Sequence, residues 1–101
     1  MKNNFKWGII GTGGIANAFA KDLSYLKDHT LAAVGSRKLS TAQQFASKYP
    51  DCVGYPSYSE LVSDPSLDGI YIATPQNFHV EHTILALDAG KPVLCEKPFA
   101  I

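Results

Sequence analysis

Phe5-Lys6-Trp7-Gly8-Ile9-Ile10-Gly11-Thr12-Gly13-Gly14-Ile15-Ala16 is the stretch on which the reading of this chain turns. Its first half is apolar at strand length and stops at glycine. Its second half is G-x-G-x-x-A, and Ile15, Phe19, Leu23 and Leu26 then recur at spacings of 4, 4 and 3, one face of a helix. A glycine loop that leaves a strand and opens a helix is the context that gives the spacing meaning. Gly11 allows the tight turn, Gly13 lets the backbone approach a pyrophosphate, and the small Ala16 lets helix and strand pack closely. The helix start adds unpaired N–H groups and a positive dipole end. The alternative is a glycine-rich turn with no ligand. Position, spacing and flanking periods agree on a phosphate cradle, with Gly11, Thr12, Gly13, Gly14 and Ile15 as its contacts.

Working outward, strand-length apolar runs alternate with segments of helical period. Strands are expected at Phe5–Ile10, Thr30–Gly35, Cys52–Tyr55, Gly69–Ala73 and Pro92–Cys95. Between them, Ser40-Thr41 is placed to cap a helix bearing Ala42, Phe45, Ala46 and Tyr49 on one side. A short helix over 57–63 ends at Asp64-Pro65. A last helix carries Val80, Ile84 and Leu87 on one face, with Asn77 as its N-cap and Gly90 at its C-terminal cap. All six prolines fall at or beside these boundaries. Parallel neighbours need crossovers, and right-handed crossovers make the whole an α/β, doubly wound parallel sheet.

The chain's 101 residues and 10.9 kDa make one domain, 1–101, or a piece of one. An apolar fraction of 46% against 18% charged excludes a disordered tail or a fibre. Nine basic and nine acidic residues give zero net charge, which favours neither nucleic acid nor anionic lipid as partner. No apolar run is of membrane-spanning length, and the N-terminus lacks a secretory h-region. Cys52 and Cys95, in apolar surroundings, read as buried free thiols of a reducing compartment, so a cytoplasmic location is expected.

Three further stretches carry candidate chemistry. Ser36 stands 22 residues beyond Gly14, at the end of the second strand, where NAD sites place an acid for the ribose 2′-OH. Residues 35–38 are Gly35-Ser36-Arg37-Lys38, with no acid. A hydroxyl and a forked guanidinium suit a 2′-phosphate, so NADP is favoured over NAD; the other reading of Arg37 and Lys38 is a solvated loop. Thr74-Pro75-Gln76-Asn77-Phe78-His79 follows the fourth strand, on the rim where such sheets bind ligands. His79 either reaches the cofactor or only caps and packs in the first turn. Glu96-Lys97-Pro98 follows the fifth strand on the same rim. Lys97 beside a cationic nicotinamide would have a lowered pKa suited to proton exchange with a substrate hydroxyl, and a surface Glu-Lys pair is the alternative. Lys97-Pro98 could be cis. His79-Val80-Glu81-His82 contains H-x-E, but no P-C-x-x-C accompanies it, and His79 with His82 lacks a third ligand, so no metal is expected.

Taken in order, these signals resemble the N-terminal half of the glucose–fructose oxidoreductase and inositol dehydrogenase (Gfo/Idh/MocA) family. The likeness covers essentially the whole chain and is most specific over TPQNFHVEHTILALDAGKPVLCEKP, residues 74–98. It implies a Rossmann fold whose lysine in the EKP motif, here Lys97, sits at nicotinamide and substrate and assists hydride transfer, with Glu96 beside the cofactor. It also implies contacts from the glycine loop, Ser36 and Arg37 to pyrophosphate and ribose, in the manner of NADP-using sugar and dihydrodiol dehydrogenases. Family members are several times longer, with a second domain that holds a sugar-like substrate and supplies an Asp and a His. The chain is therefore expected to be C-terminally truncated, inactive alone, and a homo-oligomer or aggregation-prone through an exposed fifth strand. The expected function is an NADP-dependent oxidoreductase acting on a sugar, cyclitol or related diol. The alternative is a non-catalytic dinucleotide-sensing or binding module.

Overall fold

A computed structural model describes residues 4–95. Five strands, β1 (Phe5–Ile10), β2 (His29–Gly35), β3 (Val53–Tyr55), β4 (Gly69–Ile72) and β5 (Val93–Cys95), form one sheet in the order β3-β2-β1-β4-β5. Every pairing is parallel. The chain steps outward from β1 to β3, returns, and continues from β4 to β5. The order thus reverses between β1 and β4, the switch point at which such sheets open a crevice.

Four α-helices cover the two faces. α1 (Gly14–Leu23) and α2 (Leu39–Ala46) lie over one, where Ile9, Val34 and Tyr71 meet Ala16, Ala20, Leu23 and Phe45. Phe19 stacks flat on Tyr71 there, with ring centroids 3.7 Å apart. α3 (Tyr58–Val62) and α4 (His79–Asp88) lie over the other, where Leu61, Val62 and Ala86 pack on Ile10, Ala33, Ile70 and Ile72. Ile9, Ile10, Ile70 and Ile72 are fully buried, each contributing roughly 1.5–3 kcal/mol. The β4 run GIYI is buried along its whole length because helices cover both faces of the central strands.

Several local expectations are corrected. α1 ends at Leu23, so Leu26 lies beyond it and is exposed; its buried face is Ala16, Ala20 and Leu23, while Ile15 turns outward at the rim. α2 begins before Ser40-Thr41, with Lys38 at the N-cap and no side-chain cap, and Tyr49 packs on the core from beyond its end. The third strand starts at Val53, leaving Cys52 half-buried beside the α1–α2 core. The Cys95 side chain lies outside the described residues. α3 is capped as its sequence suggests, Ser57 Oγ accepting from Glu60 N–H at 3.1 Å.

The largest correction concerns α4. A 3₁₀ turn over Gln76–Phe78 holds Asn77, and the N-cap is Phe78, without a side-chain bond. Val80, Ile84 and Leu87 are exposed, and the buried residues of the helix are His82 and Ala86. The helix faces α3, β4 and β5 with His82, Leu85 and Ala86, and the apolar stripe lies on its exposed side. Gly90, at φ +81°, ends the helix as expected. Its N–H donates to Leu87 C=O and that of Lys91 to Ala86 C=O, a Schellman closure. Among the described residues no helix is long and apolar enough to cross a membrane.

Candidate functional site: a dinucleotide cleft on the carboxyl rim

The rim is tied together by backbone bonds beyond the strands themselves. Gly11 N–H donates to Gly35 C=O at 2.9 Å, Ala73 N–H to Ile10 C=O at 2.9 Å, and Ser36 N–H to Tyr55 C=O at 3.1 Å. The loops that leave β1, β2, β3 and β4 therefore start from fixed positions.

Gly11 has φ +108°, where a side chain is strained, and a Cβ there would press on Thr74 Cγ2 at 3.2 Å and on the Ala73 carbonyl at 3.3 Å. The turn is tight because the β4 loop lies against it. Gly13 and Gly14 differ: a Cβ on either would meet no described atom within 4 Å. The first intrahelical bond runs from Asn17 N–H to Gly13 C=O, 3.0 Å. The N–H groups of Gly14, Ile15 and Ala16 thus precede the first bonded donor, and Gly14 and Ile15 are exposed. Ala16 is fully buried, as close packing of α1 on β1 requires. An anion can reach this helix end without displacing protein.

At the end of β2, Ser36 is buried and Arg37 and Lys38 are exposed. Ser36 Oγ accepts a long 3.4 Å bond from Lys38 N–H, which leaves its hydroxyl proton for another acceptor. Arg37 lines a groove of about 720 Å³ with Pro56, Tyr58, Thr74, Pro75, Phe78 and His82. That volume is in the range of small-molecule and cofactor sites. Its far wall is aromatic: the His82 ring lies edge-on to Tyr58 at 4.7 Å and stacks with Phe78 at 5.8 Å.

Thr74 is the hub of this wall. Its carbonyl accepts from His79 Nε2–H at 2.8 Å, and its hydroxyl lies 2.7 Å from His82 Nδ1. His79, at the start of α4, thus packs back on the loop that leaves β4. Both imidazoles of the H-x-E stretch are engaged with Thr74, and burial lowers the pKa of His82, favouring the neutral ring. Among the described residues no group of three or more His, Cys, Asp and Glu could hold a metal.

The fold thus brings Gly11, Thr12, Gly13, Gly14, Ile15, Ser36, Arg37, Lys38, Thr74, Pro75, Asn77 and His79 to one rim. Glu96, Lys97 and Pro98 lie outside the described residues. Tyr58, Phe78 and His82 are groove residues that the sequence reading did not assign. Phe78 and His82 stand at i and i+4, a spacing that could have placed them on one side of the helix start; Tyr58 opens α3, far away in sequence, and carried no such signal.

The cradle fits a dinucleotide: open glycine positions, a helix start with free N–H groups, a basic residue at the end of β2, and an apolar groove beside it. Comparisons with known proteins agree. The chain is 42% identical over 108 residues to D-xylose 1-dehydrogenase (NADP(+)) of Hypocrea jecorina, covering 95% of this chain and 28% of that one. It is 44% identical over 98 residues to trans-1,2-dihydrobenzene-1,2-diol dehydrogenase of Mus musculus, covering 95% and 29%. Among solved structures, a 3-ketoreductase of Actinomadura kijaniata in complex with NADP and TDP-benzene superposes with TM-score 0.88 at 31% identity, over 95% of this chain and 30% of that one. The myo-inositol dehydrogenase of Lactobacillus casei, in complex with NAD(H) and myo-inositol, gives 0.85 at 27% identity, over 94% and 29%. The chain thus spans under a third of the length of these relatives. Residues 5–101 match the oxidoreductase family with the NAD-binding Rossmann fold, and the chain belongs to that Gfo/Idh/MocA family.

Proposed function

We infer that residues 1–101 are the cofactor-binding portion of an NADP-dependent dehydrogenase or reductase acting on a sugar, cyclitol or related diol. The observation that carries the cofactor choice is the end of β2. There Arg37 lines the groove and the buried Ser36 precedes it, with no carboxylate at residues 35–38. A 2′-phosphate brings close to two negative charges, which Arg37 can meet with a forked, charge-assisted bond while Ser36 donates its hydroxyl. A carboxylate here would repel it. The names of the xylose dehydrogenase and the ketoreductase complex support NADP, and those of the relatives together support a small polyhydroxylated or cyclic substrate.

In this reading Gly11, Thr12, Gly13, Gly14 and Ile15 form the loop that holds the pyrophosphate, with the N–H groups of Gly14 and Ile15 at the start of α1 turned to the phosphates. Ser36, Arg37 and Lys38 take the adenosine ribose and its phosphate. Thr74, Pro75, Asn77 and His79 form the opposite lip, and Glu96 lies near the cofactor. The nicotinamide, when bound, supplies the centre that accepts or delivers hydride. Lys97, assigned through the family's EKP motif, moves the proton of the substrate hydroxyl. A lysine next to a cationic ring releases its proton more readily, which suits that task. The half-buried free thiol of Cys52 supports a reducing, cytoplasmic setting. The exposed apolar residues of α4 and β5 support a homo-oligomer.

The test is a titration of NADPH and NADH against two variants. Arg37→Ala should weaken NADPH at least about tenfold, the low end for a charge-assisted bond, and leave NADH nearly unchanged. Ser36→Asp should reverse the preference. An Arg37→Ala variant that loses both cofactors alike would remove this loop from phosphate recognition.

A further inference from the structure

The wall of the groove contains a buried polar side chain with one atom to spare. His82 is 6% exposed and Thr74 7%. The Thr74 hydroxyl has a partner in His82 Nδ1, at 2.7 Å. A buried hydroxyl must place its proton on an acceptor. In the arrangement in which Thr74 donates to Nδ1, the neutral ring carries its own proton on Nε2. Nε2 makes no hydrogen bond to a described residue. No buried side-chain nitrogen or oxygen is without a partner there either, so Nε2 reaches solvent, and His82 borders the groove. Tyr58 and Phe78 hold the ring from two sides. A fixed N–H donor is thus presented at an aromatic-walled slot.

We propose that His82 reads the base of the bound dinucleotide, its Nε2–H donating to the adenine ring nitrogen N1. This rests on the reading that the groove takes the adenosine end of the cofactor. With the ribose at Arg37, the base crosses the groove towards α4, and the edge farthest from the sugar, which bears N1, meets His82. Tyr58 and Phe78 offer it faces to stack on. Thr74 acts as a positioning residue: it sets the tautomer.

The experiment uses the 101-residue chain with adenosine 2′,5′-bisphosphate and its 1-deaza counterpart, in which N1 is replaced by C–H. The parent should bind the 1-deaza compound about tenfold more weakly, the loss of one neutral hydrogen bond. His82→Phe keeps a ring in the slot and should bind both compounds alike, near the parent's weaker value. Thr74→Val leaves His82 in place but frees Nδ1 to take the proton, so the preference should shrink, which a purely structural role would not produce. Nitrogen NMR of the parent should find Nδ1 pyridine-like and Nε2 protonated. Equal binding of the two compounds by the parent, a preference that survives His82→Phe, or the opposite tautomer overturns the proposal and leaves the adenosine groove standing. Failure of the parent to bind adenosine 2′,5′-bisphosphate overturns both.

Discussion

Gly13→Ala separates binding from folding. Gly13 has φ −85° and ψ −159°, an extended conformation open to alanine, and a Cβ there would meet no described atom within 4 Å. Nothing in the fold resists the change, so stability should stay within about 0.5 kcal/mol of the parent, as for an ordinary surface substitution. The same empty space is where the account puts the pyrophosphate. A methyl group in it holds the phosphates away from the α1 N–H groups and removes at least one charge-assisted bond, about 1.5–3 kcal/mol, or roughly 10- to 150-fold in affinity. Calorimetric titration of NADPH reads the affinity, and thermal unfolding reads the stability. The control is Gly11→Ala, where φ +108° and contacts of 3.2–3.3 Å should cost stability as well as binding. An unchanged NADPH affinity in Gly13→Ala would refute the placement of the phosphates. A large loss of stability would refute the claim that this space is free of protein.

Gly54→Ala should be destabilising without touching the cleft, since its Cβ would stand 2.8 Å from the Ala42 backbone carbonyl; about 1–3 kcal/mol is expected in denaturant titration. Burial pushes the Cys52 thiol up to about 12 from 9.0. Alkylation at Cys52 at pH 8, mapped by mass spectrometry, should therefore be at least about tenfold slower in the folded chain than in urea. Because the folded-state pKa is raised, the stability linked to this thiol is fully present below pH 9 and is lost as pH rises towards 12. In a chimera where this chain replaces the matching region of the mouse dihydrodiol dehydrogenase, Lys97→Ala should lower kcat by roughly 10²–10⁴ with little change in NADPH affinity. Full turnover would take Lys97 out of the mechanism.

What the sequence disclosed, and what it hid, has a physical pattern. Strand length and glycine spacing are local properties, so FKWGIIGTGGIA named β1, the loop and α1 together, and the alternation of strands and helices implied a doubly wound parallel sheet. Ser36 and Arg37 could be placed on the rim because their distance from the glycines is fixed by one β-α-β unit. α4 was misread because periodicity says that a face is apolar, not that anything covers it. Val80, Ile84 and Leu87 form the regular stripe, yet the helix buries His82 and Ala86. The groove wall was missed for a related reason. Tyr58 is 24 residues from His82 in sequence and 4.7 Å away between ring centroids, and only the crossover through α3 brings them together. His82 had been weighed as half of a metal pair, when its real partner, Thr74, lies one loop earlier.

The most direct test of the central claim is the ratio of NADPH to NADH affinity for the chain, measured by calorimetry at low and at raised salt. NADPH should bind at least about tenfold more tightly at low salt, and the gap should narrow as salt screens the contact between Arg37 and the 2′-phosphate. Equal affinities, or tighter binding of NADH at both salt concentrations, would contradict it.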